Sequence, residues 1–529
     1  MHTFDWSFPY RSQKMPLLAA NTVTTSQPLA AQAGLQMLQR GGNAIDAAIA
    51  TAITLTVVEP VMNGIGGDLF AQVWHEGRLY GINASGRSPE AWTADRFAGR
   101  DTMPKVGWDT VTVPGQVSGW KALSERFGKL PFEALFTPAI GYATDGFLVS
   151  PQIARQWAAQ LPALVDQPGF REAFTIDGRA PVAGERWRFP DQAKTLADIA
   201  ATGGRSFYQG ELASRILAHS ARTGGCLSAA DLAGQAVSWV EPISQQYRGH
   251  RLHELPPNGK GIAALIALGI VERFDVEAMG CDSVDFYHLC IEAMKLAFAD
   301  LHAHVSDPAT MQIPPQALLD PAYLASQAGT IRMDRASMPM AGIPKPGGTV
   351  YLAAADAAGS MVSFIQSNYR GFGSGVVVPG TGIGLHNRGE SFSLQPGHPN
   401  TVAPKKQPMH TIIPGFVTRD DQPLMAFGVM GGSMQAQGHL QMMVRLVSFG
   451  QNPQAMSDAP RFRVENGPVV HVEAHLPAPV VQALRDRGHD VRVAPADSLE
   501  FGSAQLIHRL DGGYAAASDS RRDGQAVGF

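Results

Sequence analysis

Thr349 stands directly after Gly348, at the end of the stretch SMPMAGIPKPGG (337–348), which holds three prolines and three glycines in twelve residues. Such a stretch cannot keep regular structure and reads as an exposed linker. Residues 349–356 and 361–367 follow it, flanking Ala-Ala-Gly-Ser in a strand-turn-strand pattern. A threonine hydroxyl is a weak nucleophile unless a base sits beside it. A chain break before Thr349 would supply that base, because the freed α-amine titrates at about 7.7–8.0 and is partly unprotonated near neutral pH. On pattern alone, an ordinary loop entering a strand fits equally, since threonine is common at strand starts.

Acyl transfer also needs donors for an oxyanion. The run Gly428-Val-Met-Gly-Gly-Ser433 lies between a predicted strand and a predicted helix, where paired glycines would aim backbone N–H groups at developing negative charge. A plain tight turn fits the same residues. Metal hydrolysis finds less support. His302-Ala-His304 alternates on a helical stretch without a partner motif, and no metal or organic cofactor is expected. Gly64-Ile-Gly-Gly67 follows a helix and lacks dinucleotide-binding spacing, and Pro256-Pro-Asn-Gly-Lys-Gly261 is no phosphate loop.

The elements that must position these residues are legible in part. Ser26 with Pro28 opens a helix that stops at Gly41-Gly42, and Asn43 with Asp46 opens a second that ends at Glu59-Pro60. A hairpin is expected over 69–84, turning at His75-Glu-Gly-Arg78. The middle, about 131–333, reads as mostly helical, with clear periodicity over 291–304. From 349 onward the pattern is strand-rich, with helical runs at 435–449 and 478–487 and hairpins around Glu465-Asn-Gly and Leu510-Asp-Gly-Gly.

At 529 residues the chain is too long for one simple core. Its 45% hydrophobic and 17% charged content is that of an ordinary globular protein, and a net charge of −4 without a basic run excludes nucleic acid and anionic membrane as expected partners. Three cysteines without CxxC spacing suggest neither a disulfide framework nor a zinc site. The start lacks a signal-peptide pattern and the most apolar segment, 47–58, is too short to span a bilayer, so a cytoplasmic location is expected.

Several motifs, in order along nearly the whole chain, carry a family resemblance. They are Asn43-Ala-Ile-Asp-Ala-Ala48, Glu59-Pro-Val-Met-Asn-Gly-Ile-Gly-Gly-Asp68, Val113-Pro-Gly-Gln-Val-Ser-Gly-Trp120 and Glu292-Ala-Met-Lys-Leu-Ala-Phe-Ala-Asp300, then Thr349 with Asp356, Gly359 and Val362-Ser363. Together they resemble the γ-glutamyltranspeptidase family. The resemblance implies an N-terminal-nucleophile hydrolase: a four-layer αββα sandwich made as one precursor, cut between Gly348 and Thr349 into a large subunit (1–348) and a small subunit (349–529) that stay together as a heterodimer. Whether two heterodimers pair is left open. It further implies Thr349 as nucleophile, Ser367 as its hydroxyl partner, and Gly431 with Gly432 as the oxyanion hole. His410-Thr411 fall where transpeptidases place a Ser-Ser pair for the substrate carboxylate.

The departures from that pattern concern the substrate. Ser391 stands where transpeptidases pair an Asp with the glutamyl amine, and a neutral serine offers an ammonium group no ion pair. Ser85 stands where their carboxylate-binding Arg belongs, with Arg87 two residues later, and Tyr369-Arg370 replaces an asparagine near the substrate. The segment 396–408 is shorter than a lid. These changes favour an anionic acyl group without an amine. Ser367-Asn-Tyr-Arg-Gly-Phe-Gly-Ser-Gly375 with His386-Asn-Arg388 is similar to the oxamate amidohydrolase branch, so the expected reaction is oxamate to oxalate and ammonia, with Arg87, Arg370 or Arg388 holding the carboxylate. A γ-glutamyl transferase or glutathione hydrolase, a glutaryl-type (cephalosporin) acylase and an uncleaved scaffold are the alternatives.

Overall fold

The computed structural model of the protein describes residues 13–338 and 348–529. The expected linker conformation over 339–347 and the chain's first twelve residues lie outside them. Two seven-stranded sheets carry the fold. The first runs, in spatial order, Gln525–Gly528 (β14), Thr22–Thr25 (β2), Gly348–Ala355 (β8), Met361–Tyr369 (β9), Asp68–His75 (β3), Arg78–Ala84 (β4) and Ser238–Val240 (β5). The second runs Leu17–Ala19 (β1), Gly513–Ser518 (β13), Ser503–Leu510 (β12), Gln422–Met430 (β11), Gly415–Arg419 (β10), His250–Glu254 (β7) and Ile243–Tyr247 (β6).

Side chains on a strand point alternately to its two faces, and β8 uses both. Val350, Leu352 and Ala354 pack with helices α1 (Pro28–Gln39) and α2 (Ala44–Val58), whereas Tyr351, Ala353 and Ala355 fill the space between the sheets. Helices α3 (Gly261–Val271), α4 (Val284–His304) and α5 (Met434–Val447) cover the outer side of the second sheet. The layers are therefore helix, sheet, sheet, helix, as the resemblance implies. Every residue of β8, β9 and α2 is buried, which explains their near-continuous apolar or small-residue composition.

The expected helices and hairpins form, with two differences. Gln27, not Ser26, caps α1, its side-chain oxygen accepting from Leu29 N–H at 2.6 Å and Ala30 N–H at 3.3 Å. The Ser26 hydroxyl is instead spent on Glu59, at 2.5 Å. Within the mostly helical middle, the β6–β7 hairpin joins the edge of the second sheet, a pairing set by tertiary contact with β10. The start of α2 matches expectation: Asn43 and Asp46 form a reciprocal cap, and Asp356 accepts the Ala44 N–H at 2.8 Å.

Candidate active site

Thr349 sits at the start of β8, opposite the end of β9, and is 1% exposed. A register irregularity between Gly348 and Val350 breaks the ladder around it, while Gly348 pairs with Tyr369 and Ser367 with Asp68 on β3. The Ser367 hydroxyl donates to the Gly348 carbonyl at 2.6 Å, accepts the Tyr369 N–H at 2.7 Å and lies 3.2 Å from the Thr349 hydroxyl. One serine thus polarises the carbonyl before Thr349 and touches the oxygen that would attack it. Tyr369 holds its N–H there through a φ of +75°, a region that bulky residues rarely adopt.

Behind this group lies a buried charge cluster. The Asp68 carboxylate accepts the His410 Nε2–H at 3.0 Å, while His386 Nδ1 lies 3.3 Å from the same oxygen. Its other oxygen accepts the N–H groups of Gly86 at 3.3 Å and Gly115 at 3.2 Å. Burial would raise this carboxyl, but the two imidazoles outweigh it and hold the group well below the usual carboxylate range. His410 accepts the Ile412 N–H on Nδ1 at 3.3 Å, which fixes its tautomer, and burial together with Arg388 pushes it down to about 3.

Arg388 is fully buried. It donates from Nη1 to the Thr411 hydroxyl at 2.8 Å and lies over the Tyr369 ring, 4.3 Å from its centroid. Its Nε and Nη2 have no hydrogen-bond partner, and the carboxylates of Asp68 and Glu390 attract it without a direct bond among the described residues. Burial lowers it to about 10, so it remains a cation at neutral pH. A buried charge without a direct partner is costly.

The other two candidate arginines are already engaged. Arg370 is bound through Nε and Nη2 by Glu390, the latter at 2.6 Å, and Arg87 is half exposed with Nη1 2.8 Å from Asp307. The Ser391 hydroxyl lies 2.8 Å from the carbonyl oxygens of both Arg388 and Met409, and its single proton is shared between them, so it holds the loop that carries Arg388. Gly431 and Gly432 follow β11 with φ of +123° and +61°, values suited to glycine. Their carbonyls accept the N–H groups of Met434 and Gln435, and no acceptor among the described residues takes either glycine's own N–H.

Asp68 and His386 escaped the sequence reading of the site. Both stand in motifs that carry the resemblance, Asp68 at the end of Glu59–Asp68 and His386 at the head of His386-Asn-Arg388, but nothing in those motifs gave either a role. A cluster elsewhere, His288, Glu292 and His489, brings its ligand-type atoms within 4.8 Å of one another. The Lys295 ammonium already fills it, 2.7 Å from Glu292 and 3.2 Å from His489.

Residues 30–529 match the family model described as gamma-glutamyltranspeptidase. The chain belongs to the γ-glutamyltranspeptidase family. It is 37% identical to an oxamate amidohydrolase proenzyme of Klebsiella pneumoniae over 95% of this chain and 97% of that protein. It is 36% identical to a glutathione hydrolase-like proenzyme of Bacillus subtilis, covering 96% and 98%. Among solved structures, a cephalosporin acylase from Bacillus halodurans superposes with a TM-score of 0.96 and 48% identity, covering 100% and 99%. The architecture is that of the N-terminal-nucleophile hydrolases, and the chain is a family enzyme that hydrolyses amide bonds. Its relatives are made as proenzymes. Among the described residues, no helix is long and apolar enough to cross a membrane.

Proposed function

We propose that this family member cuts itself between Gly348 and Thr349, giving a large subunit of 1–348 and a small subunit of 349–529, and then hydrolyses a small anionic amide of the oxamate type. The observation that carries the substrate class is Arg388, a buried cation with two unpartnered nitrogens beside the Thr349 group. A carboxylate accepting from Nε and Nη2 would complete its hydrogen bonds in the bidentate geometry that a guanidinium favours. Ser391 is neutral and its hydroxyl proton is given to backbone carbonyls, so it offers an α-ammonium no ion pair.

In self-cleavage the Thr349 oxygen attacks the Gly348 carbonyl carbon, whose oxygen the Ser367 hydroxyl already holds. The C–N bond breaks and the amine takes the hydroxyl proton, leaving an ester between Gly348 and Thr349. Water hydrolyses it, freeing the Gly348 carboxylate and a threonine with both hydroxyl and amine. In turnover that amine takes the hydroxyl proton as the oxygen attacks the substrate amide, and the N–H groups of Gly431 and Gly432 receive the oxyanion. The proton passes to the departing nitrogen, ammonia leaves, and water attacks the acyl ester with the amine as base. Oxalate and ammonia are the products from oxamate.

A second reading, acylase action on a glutaryl-type amide, is favoured by the 48% identity to the cephalosporin acylase. It uses the same nucleophile and an acyl group of the same charge. Two measurements test the proposal. The smaller fragment should begin Thr-Val-Tyr-Leu, with Thr349→Ala remaining whole and inactive. Turnover of oxamate, a glutaryl amide and γ-glutamyl-p-nitroanilide should rank the anionic, amine-free substrates first; a γ-glutamyl compound turned over fastest would defeat it.

A further inference from the structure

A second polar cluster, away from the site, grips the stretch of chain that precedes the cut. Glu292 and Lys295 of α4 and His489 are all but fully buried, as is His288. The Glu292 carboxylate accepts Lys295 on one oxygen at 2.7 Å. Its other oxygen is spent entirely on Ser337, accepting the N–H at 2.9 Å and the hydroxyl. Lys295 also donates to the Ser337 carbonyl at 3.2 Å and to His489 Nδ1 at 3.2 Å. The relay then runs in one direction: His489 Nε2–H donates to His288 Nδ1 at 2.8 Å, and His288 Nε2–H donates to the Arg332 carbonyl at 2.9 Å. The Ala336 N–H adds a bond to the Arg487 carbonyl at 2.6 Å.

Three features mark this as more than a buried ion pair. An apolar pair would serve the stability of α4 as well, yet here the second oxygen of Glu292 and one proton of Lys295 both go to Ser337. No side chain from Arg332 to Met338 is fully buried, and Met333 alone among them packs against the core, so the polar bonds carry much of the hold on the segment. The grip also comes from both sides of the proposed cut: His288, Glu292 and Lys295 precede residue 348, whereas Arg487 and His489 follow it.

We propose that Glu292, Lys295, His288 and His489 form a latch whose ligand is the chain's own segment Arg332–Ser337. Before the cut it is the upstream anchor from which the Gly348–Thr349 bond is presented to its own hydroxyl. After the cut it docks the tail of the large subunit on the small one. These are positioning residues; none touches the reacting atoms.

The test uses the full-length chain with Ser337→Ala, which removes one hydroxyl from a half-buried residue and spares the fold, and Glu292→Gln, whose amide nitrogen must face a donor on one side, either Lys295 or Ser337. Self-cleavage in a cell-free time course should slow at least fivefold, with the small fragment still starting at Thr349. Turnover per cleaved chain should stay within twofold of wild type. Trypsin should cut the mature wild type only slowly after Arg332 and Arg335, whose backbone the latch holds, and at least tenfold faster in the variants. Cleavage at the wild-type rate, unchanged tryptic protection, or turnover per cleaved chain falling in step with cleavage would each overturn the latch. If Glu292→Gln does not fold, Ser337→Ala decides alone. The latch rests on the cut at residue 348; if that reading fails, the wild type itself stays whole, whereas a failed latch leaves a cut wild type and matching variants.

Discussion

At the scale of single residues, Ser367 and Arg388 make demands that can be measured separately. Ser367 is the donor on the Gly348 carbonyl, so Ser367→Ala should slow self-cleavage on the order of 10²-fold, the usual loss when one oxyanion donor is removed. A densitometric time course of fragment formation reads this directly, and cleavage at the wild-type rate would count against the carbonyl contact. Arg388→Met should leave self-cleavage intact and raise KM for oxamate, lowering kcat/KM by about 10²-fold for loss of a charge-assisted pair worth roughly 3 kcal/mol. The same change removes a buried cation without a direct carboxylate partner, so thermal stability should hold or rise. A protein that unfolds without Arg388 would mark it as structural.

At the scale of elements, the start of α2 shows how secondary structure is tied across the proposed cut. Asn43 accepts from Ile45 and Asp46 and donates to the Phe127 carbonyl at 2.6 Å, while Asp356, seven residues after Thr349, accepts the Ala44 N–H. Asn43→Ala should cost about 1–2 kcal/mol, read from the shift in urea midpoint at constant slope. The cap was legible because a side chain that accepts from its own helix leaves a local signature. The β6–β7 hairpin and the Gln27 cap were not, because the first depends on β10 as partner and the second on Glu59 claiming the Ser26 hydroxyl.

At the scale of the whole molecule, both sheets interleave strands from before and after residue 348. β8 pairs with β2 and β9 with β3, so cleavage should leave a complex that elutes as one species and separates only on denaturation. Proton linkage is also a global property. Burial holds His253, His410 and His489 down at about 4, about 3 and about 3, below the roughly 6.5 of a free imidazole, and pushes Glu59 up to about 7. Between pH ~4.5 and ~6.5 the unfolded chain binds protons on these imidazoles, and on His219, His288, His398 and His508, that the folded chain refuses, against those that the folded chain keeps on Glu59 and, raised by burial from a lower starting point, on Asp46, Glu254, Asp300 and Asp523. The excess lies with the unfolded state, so stability rises with pH across this window, by ~1.4 kcal/mol per pH unit for each net proton. Thermal midpoints at pH 5, 6 and 7 should climb in that order; a flat or falling series would contradict the buried neutral imidazoles.

The sequence by itself determined the family, the order of strands and helices around Thr349, and the residues Thr349, Ser367, Gly431 and Gly432 as candidates, because local patterns and ordered motifs survive in one dimension. It left three arginines equal as carboxylate ligands. Only the tertiary structure separated them, since pairing is a property of neighbours distant in the chain: Glu390 takes Arg370, Asp307 takes Arg87, and burial with two idle nitrogens sets Arg388 apart. Asp68 and the Ser337 latch were decided there too, for a buried polar group shows its purpose only through the partners that folding brings to it.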